Sequence, residues 1–325
     1  MNNSRKVLTA ILSLLFFQIS ARSQDSTLGH ISKDTTIQTS DTLLGKMDMD
    51  SIDQALKELI KPEKSYFQAS INYLNNNVYL GRKDTVLTPY ITASLGYYHK
   101  SGLFISTSAS YLPVSGQSRI DLVTIEAGYE IKTDKFEGQA TFDKFFYSSQ
   151  SNNVKAEMKA SLAFFAGYDF GFIKPTATPT LNLSNSADFA LTLGLEHTFY
   201  SDDNSFDITP TFNANGSTQN YYSSYYRNRK FKVKKKKVVT IQKGTVYGVV
   251  EGASQFKMLD YEFTLPVNYT IKKFTFNFTP TYAIPVHPAV VDITTQIANQ
   301  PPKTRTVTEK PGNSFYWQAG VTLKF

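Results

Sequence analysis

The chain has 325 residues, a formal net charge of +7 and no cysteine, which excludes disulfides, thiolate metal sites and lipid attachment through a cysteine. Nine of its basic residues fall between Arg227 and Lys243, where there is no acidic residue. The high isoelectric point therefore belongs to one segment and does not indicate a nucleic-acid-binding protein.

The N-terminal segment is typical of a secretory signal. Arg5 and Lys6 precede an apolar run, residues 7–17, which is too short to span a bilayer as a helix. Ala21–Arg22–Ser23 has the small-x-small form of a signal-peptidase site. We therefore expect residues 1–23 to act as a signal peptide, with a short membrane anchor as the alternative.

Residues 24–64 are predicted to form a linker followed by a short amphipathic helix. Asp25 to Thr42 is rich in Ser, Thr and Asp, as flexible linkers are. Ser51 and Gln54 form a capping pattern, apolar residues follow at helical spacing, and Pro62 ends the helix. Whether this helix rests against a barrel mouth, plugs a lumen or docks a partner is left open.

From residue 65 onward, apolar and polar residues alternate in twelve runs. The runs are Tyr66–Leu74, Pro89–His99, Leu103–Leu112, Asp121–Lys132, Phe136–Tyr147, Val154–Phe170, Phe172–Ser184, Asp188–Tyr200, Phe206–Asn215, Phe256–Ile271, Phe274–Val286 and Phe315–Phe325. Their lengths suit the roughly 9–11 residues of a tilted membrane-crossing strand. If the first run starts at one side of the membrane, the turns on that same side are all short, and the two longest connections lie on the opposite side. Four prolines lie in the interior of four different runs, which predicts bulges or weakened hydrogen bonding at Pro179, Pro210, Pro266 and Pro280.

The last run carries the most specific pattern. Phe315, Trp317, Ala319, Val321, Leu323 and Phe325 share one face of a strand, and polar residues occupy the other. This tail resembles the closing strand of Gram-negative outer-membrane β-barrels, which the assembly machinery reads as alternating aromatic residues ending in Phe. The resemblance extends to the class and to no specific family.

That resemblance implies an all-β protein: a transmembrane antiparallel up-and-down β-barrel of about twelve strands over residues 65–325, in the outer membrane of a Gram-negative bacterium. Residues 24–64 are then periplasmic. Trp317, Leu323 and Phe325 become candidates for the assembly signal, and the implied partners are outer-membrane lipid and glycolipid and the assembly machinery.

Charged residues on the polar faces of the runs are expected to face the lumen. They are Glu126, Glu137, Asp143, Lys155, Glu157, Lys159, Asp188, Glu196, Asp260 and Glu262. In one interpretation, they pair across neighbouring strands and fill a largely occluded lumen. In the other, they line a narrow conducting pore, since a twelve-strand barrel falls between small filled barrels and wide porins.

The basic segment is a second candidate site, in a loop predicted to face outward. Its members are Arg227, Arg229, Lys230, Lys232, Lys234, Lys235, Lys236 and Lys237. Clustered cations attract phosphate and carboxylate groups, so the segment is a candidate anion-binding or glycolipid-binding loop. A funnel for an anionic solute and a plain solvated surface are the alternatives.

Two roles fit these features: a narrow, porin-like channel for small polar solutes, or a structural or accessory barrel of a cell-envelope complex. A surface adhesin or a lipid-modifying enzyme is the alternative. Of the histidines, only His287 is predicted on the outer side, and no serine lies at an informative spacing from it. We therefore expect no enzyme, no cofactor, no metal and no nucleic-acid partner, and leave a periplasmic or envelope protein partner open.

Overall fold

The computed structural model describes residues 64–83, 87–151, 153–226, 244–297 and 300–325. These residues form twenty strands and one short helix, α1 (Asn220–Tyr225). The strands in chain order are β1 (Tyr66–Leu74), β2 (Val78–Tyr79), β3 (Arg82–Lys83), β4 (Tyr90–Tyr98), β5 (Leu103–Leu112), β6 (Arg119–Lys132), β7 (Phe136–Tyr147), β8 (Ala160–Tyr168), β9 (Lys174–Leu183), β10 (Ala187–Glu196), β11 (Phe199–Tyr200), β12 (Phe206–Ile208), β13 (Thr211–Ser217), β14 (Gly244–Val250), β15 (Lys257–Thr264), β16 (Val267–Ile271), β17 (Phe274–Pro285), β18 (Val290–Ile297), β19 (Lys303–Thr308) and β20 (Ser314–Lys324). Within the described residues, no helix is both long and apolar enough to span a bilayer.

The large sheet closes on itself as an antiparallel barrel. β1 pairs with β4 on one side and with β20 on the other, and β20 also pairs with β17. Three wall strands are each built from two short strands: β10 with β11, β12 with β13, and β15 with β16. The wall therefore has twelve strands, which confirms the predicted all-β fold class and strand number.

The outer surface of the barrel is apolar. Because successive side chains of a strand point to opposite faces, most apolar residues of each run point outward and most polar ones point into the lumen. Large apolar side chains exposed on this surface include Phe67, Ile71, Ile91, Leu95, Ile105, Ile125, Phe142, Leu193, Leu195, Phe263, Tyr269, Phe276, Phe278 and Phe315. We call this surface the exterior band.

The two ends of the barrel differ. At the terminal end, the backbone N–H of Phe67 donates to the carbonyl oxygen of Phe325 at 2.8 Å, and the N–H of Phe325 donates back at 2.9 Å. Short turns at residues 99–102, 133–135, 169–173, 201–205 and 272–273 lie at this same end. The longer connections, including α1, β14, β18 and β19, lie at the opposite, loop end. The predicted segregation of short turns and long loops is therefore confirmed for the described residues.

One predicted strand is shorter than its sequence pattern indicates. β8 begins at Ala160, and residues 154–157 form a turn in which the Ala156 N–H donates to Asn153 O at 2.9 Å. Ala156 and Met158 are buried, so the predicted run Val154–Phe170 is wrong over its first six residues, whose apolar side chains do not join the exterior band. They alternate with polar residues because they pack inside the protein at the loop end, and not because they belong to a strand.

The prolines interrupt the wall as predicted at two of four places. Pro210 separates β12 from β13, and Pro266 separates β15 from β16, whereas Pro179 and Pro280 lie within β9 and β17. The N–H of Thr209 donates to Pro266 O at 2.9 Å, and that of Leu265 donates to Pro280 O at 3.0 Å. Three neighbouring wall strands therefore carry a proline at about the same height, and proline donates no hydrogen bond to the ladder.

Candidate functional site: a lumen closed at the loop end

A small hairpin folds inward at the loop end of the barrel. β2 and β3 pair antiparallel across a two-residue turn, Leu80–Gly81, in which both residues have positive φ (50° and 70°). This is the conformation of a tight type I′ turn, which leucine adopts rarely. Leu80 is nevertheless only 9% exposed, so the tip is buried inside the protein. We call residues 78–83 the plug hairpin.

The tip of the plug hairpin reaches the opposite wall. The Tyr79 ring lies edge-on to Tyr221 with centroids 5.6 Å apart, and Asn182 Nδ2 donates to the Tyr79 hydroxyl at 3.4 Å. A Cβ atom on Gly81 would lie 3.0 Å from the Cβ atoms of both Asp260 and Pro285. The close approach leaves room for glycine only, and it shows that the hairpin crosses the mouth of the barrel.

Arg82 fastens the plug hairpin in place. Its Nη2 atom donates to Gln219 Oε1 at 2.6 Å and to the His287 carbonyl oxygen at 3.3 Å. Its guanidinium carbon lies 4.9 Å from the centroid of the Tyr222 ring, within cation–π range. Arg82 is 4% exposed, so these contacts are shielded from water. We call this set of contacts the Arg82 latch.

An apolar cluster covers the plug hairpin from the loop side. Its buried members are Phe145, Val154, Met158, Tyr221, Tyr222, Tyr225, Tyr226, Val250, Ala289, Val291 and Ile293. The hydroxyls of Tyr222 and Tyr226 both donate to Glu309 Oε1. Burial, reinforced by the Glu309 carboxylate, raises the pKa of the Tyr222 hydroxyl well above its usual value, so it stays protonated and keeps donating.

Asp188 anchors this cover to the barrel. Its carboxylate accepts hydrogen bonds from the Thr218 hydroxyl at 2.6 Å, the Asn220 N–H at 2.7 Å and the Tyr221 N–H at 2.7 Å. These donors lie at the start of α1, where backbone N–H groups have no partner within the helix. The carboxylate thus stabilises the helix that packs on the plug hairpin.

Beneath the plug hairpin lies a polar cavity of about 140 Å³. Its lining includes hydroxyl and amide groups, three aromatic rings, two carboxylates and one ammonium group. The lining residues are Val78, Tyr79, Leu80, Asp143, Phe145, Lys155, Ser161, Thr180, Asn182, Ala190, Thr192, Asn213, Asn215, Glu262 and Tyr316. A close-packed apolar core would leave no such space.

The charged groups of this cavity have defined contacts. Ser161 Oγ donates to Asp143 Oδ2 at 3.0 Å, and the Tyr316 hydroxyl donates to Glu262 Oε1 at 3.0 Å. Lys155 Nζ lies 4.7 Å from the centroid of the Tyr79 ring and 5.8 Å from that of Phe145. The lysine therefore places its ammonium group against aromatic faces inside the lumen.

A second group of charges lies in the lumen toward the terminal end. Lys174 Nζ contacts Glu137 and also lies 3.0 Å from Glu196 Oε1. Lys132 Nζ lies 3.4 Å from the other carboxylate oxygen of Glu137. At this level the charges pair across β6, β7, β9 and β10, which is the arrangement of an ion-paired lumen wall.

No protein-family model matches the chain, and no curated protein does. Several solved structures resemble it. The KdgM porin is 8% identical over 79% of this chain and 99% of its own, with a TM-score of 0.42. The NanC porin is 10% identical over 80% of this chain and 100% of its own, also with a TM-score of 0.42. LpxR from Salmonella typhimurium is 9% identical over 79% of this chain and 99% of its own, with a TM-score of 0.38. At 8–10% identity, the function of this chain has to be inferred from its own residues.

The structure divides the predicted lumen charges into separate groups. Asp143, Lys155 and Glu262 line the cavity, and Asp260 lies beside it under the plug tip. Glu126 is the register partner of Asp143 and accepts a hydrogen bond from the Ser106 hydroxyl at 2.8 Å. The other predicted lumen charges lie in the terminal-end ion pairs (Glu137, Glu196), at the start of α1 (Asp188) and outside any strand (Glu157, Lys159).

Lys159 requires a correction. In one interpretation of the sequence it pairs with Asp143 across neighbouring strands, but it is exposed at the loop end and its Nζ donates to Asn185 Oδ1 at 2.8 Å. The reason is the late start of β8, which removes residues 154–159 from the alternating face. The candidate anion-binding segment, Arg227 to Lys237, lies outside the described residues.

Sequence reasoning missed the plug hairpin and Lys174. The Leu80–Gly81 turn between Val-Tyr and Arg-Lys is a short hairpin signal, but nothing local indicates that it points inward. Lys174 lies on the lumen face of β9, and its position in the alternating pattern of that strand could have identified it as a lumen residue. Of the predicted assembly residues, Trp317 packs on the exterior band, with its ring 5.4 Å from Tyr73 and 5.9 Å from Phe278.

Proposed function

We propose that this protein is an outer-membrane channel for small polar solutes whose passage is closed at the loop end by the plug hairpin. The observation that carries the proposal is the polar cavity directly beneath an inward-folded hairpin. A barrel that served only as a scaffold would gain stability by filling this space with side chains. A path for solutes, in contrast, needs polar walls and a closing segment that can move out of the way.

The membrane setting is supported by the exterior band. Exposed apolar side chains lie on four wall strands: Phe67 and Ile71 on β1, Leu95 on β4, Phe263 on β15 and Phe276 on β17. A surface of this kind is stable in hydrocarbon but not in water. Closure of the wall between β1 and β20 satisfies the backbone groups that an open edge would leave bare in lipid. In this setting the terminal end faces the periplasm, because the short turns lie there.

Conductance in planar lipid bilayers tests the proposal. We expect the wild-type protein to be mostly closed and to show only rare, small current steps. Replacing residues 78–83 with an equally long Ser-Gly sequence should produce stable, larger steps, because the barrier across the mouth is then removed. Equal replacement of residues 113–118, the six-residue loop between β5 and β6, is the matched control and should leave the wild-type behaviour unchanged.

The channel proposal fails if the hairpin-replaced variant is folded and inserted but carries no current. Folding is checked by heat-modifiable gel mobility, in which a folded barrel migrates differently from the unfolded chain. A folded, silent variant would favour a structural or accessory role within an envelope complex.

A further inference from the structure

We propose that the cavity beneath the plug hairpin is a binding site for a small organic cation that carries a primary ammonium group. The inference rests on the proposed function, since it names the class of solute that the path would hold. Its first support is the charge of the walls. Of the ionisable groups lining the cavity, Asp143 and Glu262 are carboxylates and Lys155 is the one ammonium group among the described residues.

A third carboxylate, that of Asp260, lies beside the cavity and close to Glu262, Asn215 and Arg82. Asp260 is 0% exposed, and neither of its carboxylate oxygens has a hydrogen-bond partner among the described residues. It shares the lumen face of β15 with Glu262 and lies two residues from it. A buried carboxylate without a hydrogen bond or an ion pair is unfavourable, so this position calls for a positive group nearby.

The nearest cationic side chain of the plug hairpin is already engaged elsewhere. Arg82 donates to Gln219 and to the His287 carbonyl and packs on Tyr222, all on the loop side of the cavity. Its contacts hold the hairpin in place, and its charge acts on Asp260. Glu262, which lines the cavity, accepts a hydrogen bond from Tyr316 and has no cationic neighbour among the described residues, so it is the carboxylate of β15 that is left to attract another cation.

Lys155 shows which kind of cation the cavity favours. Its Nζ lies within cation–π range of both Tyr79 and Phe145, at 4.7 and 5.8 Å from the ring centroids. Lys155 belongs to the turn at the loop end and not to the wall, so its ammonium group reaches into the lumen on a flexible stem. It acts as a tethered ammonium ion in an aromatic and acidic site, and a free ammonium compound would compete with it for the same faces.

The size and polarity of the cavity limit the ligand. A volume of 140 Å³ corresponds to about four or five water molecules at roughly 30 Å³ each. This space suits a short aliphatic amine, whose ammonium group meets carboxylates and aromatic rings. The remaining lining hydroxyls and amides, including Ser161 and Asn213, can bind additional polar groups of the ligand or its accompanying water.

Binding to the purified full-length protein tests the inference. Propylammonium, propionate and 1-propanol have similar bulk and differ in charge, and each is titrated by calorimetry at low ionic strength. We expect saturable binding of propylammonium and none of the other two. Binding of propionate as tight as that of propylammonium would overturn the proposal, and this comparison needs no variant.

Substitutions locate the site. Glu262→Gln should weaken propylammonium binding at least tenfold, because it removes a carboxylate from the lining. Lys155→Met should tighten it at least tenfold, because the tethered competitor is lost while the stem is kept. Lys159→Met, from the same loop, and Asp207→Asn, on β12, are the matched controls and should bind as the wild type does. Unchanged or weaker binding by folded Lys155→Met would overturn the role of Lys155 and with it the proposal.

The experiments can refute the channel proposal and the ammonium-site proposal independently of each other. If the hairpin-replaced variant conducts potassium but the wild type does not bind propylammonium, the ammonium site is wrong and the channel stands. If propylammonium binds as expected and no variant conducts, the site stands and the channel is wrong.

Discussion

Removal of the Arg82 latch should open the loop end of the barrel. In Arg82→Met, the hairpin keeps its apolar stem packing but loses the bond to Gln219 at 2.6 Å, the weaker bond to His287 at 3.3 Å and the contact with Tyr222. A hydrogen bond involving a charged group contributes about 1.5–3 kcal/mol, and a desolvated cation–π contact about 2 kcal/mol. The closed state therefore loses about 3.5–5 kcal/mol, which corresponds to a roughly 400- to 5,000-fold change in the ratio of closed to open states.

Single-channel recording in planar bilayers measures this ratio as open probability. Lys83→Met is the matched control, because Lys83 is the next residue of the same hairpin, also cationic, and exposed. It should behave as the wild type does. A Gln219→Leu substitution should raise the open probability less when Arg82 is already Met, since the two changes remove one shared bond. If folded Arg82→Met opens no more often than Lys83→Met, the latch does not hold the channel closed.

Three further outcomes are expected. Lys174→Met leaves two partly buried carboxylates facing each other, so we expect the free energy of unfolding measured in urea to fall by about 1–3 kcal/mol. We also expect a stronger preference for cations in reversal-potential measurements, and an unchanged free energy of unfolding would contradict the ion-pair role. Replacing Lys234, Lys235, Lys236 and Lys237 with Gln should leave folding intact but weaken co-purification of phosphate-bearing glycolipid, most visibly at low salt. If the variant retains as much glycolipid as the wild type, the basic segment is a plain solvated surface. Phe325→Ala removes the ring stacked 6.0 Å from Phe67 and should lower the amount of folded barrel on heat-modifiable gels, whereas normal abundance would exclude a role in assembly.

The wall of the barrel was predictable because its signal is local. Alternation along a single run is enough to find β4 or β20, since each strand must present an apolar face outward whatever its neighbours are. The same reasoning failed at residues 154–159, where Ala156 and Met158 also alternate with charged residues. There Met158 is buried in the apolar cluster at the loop end, together with residues of α1 and β18. A pattern of period two does not distinguish a membrane-crossing strand from a loop segment that packs in this way.

The site was only partly predictable, for a different reason. Asp143, Lys155 and Glu262 were correctly expected on polar faces, but what joins them is the plug hairpin. Its burial depends on contacts with Asn182, Gln219 and Asp260, which lie 103, 137 and 179 residues away from their partners along the chain. No local pattern encodes such distant contacts, and without them Asn75 to Thr88 is indistinguishable from a solvated loop.

The prolines of neighbouring wall strands have a mechanical consequence. Pro210, Pro266 and Pro280 remove hydrogen-bond donors at one height, so the three wall strands built from β12 with β13, from β15 with β16, and from β17 form a panel that bends more easily than the ladder from β4 to β8. Amide protons next to this line should exchange with deuterium sooner than those elsewhere in the wall. Asp260 and Pro285, which hold the tip of the plug at Gly81, belong to the same panel. Outward flexing of the panel therefore withdraws the surface against which the plug is seated, while the rest of the cylinder keeps its shape.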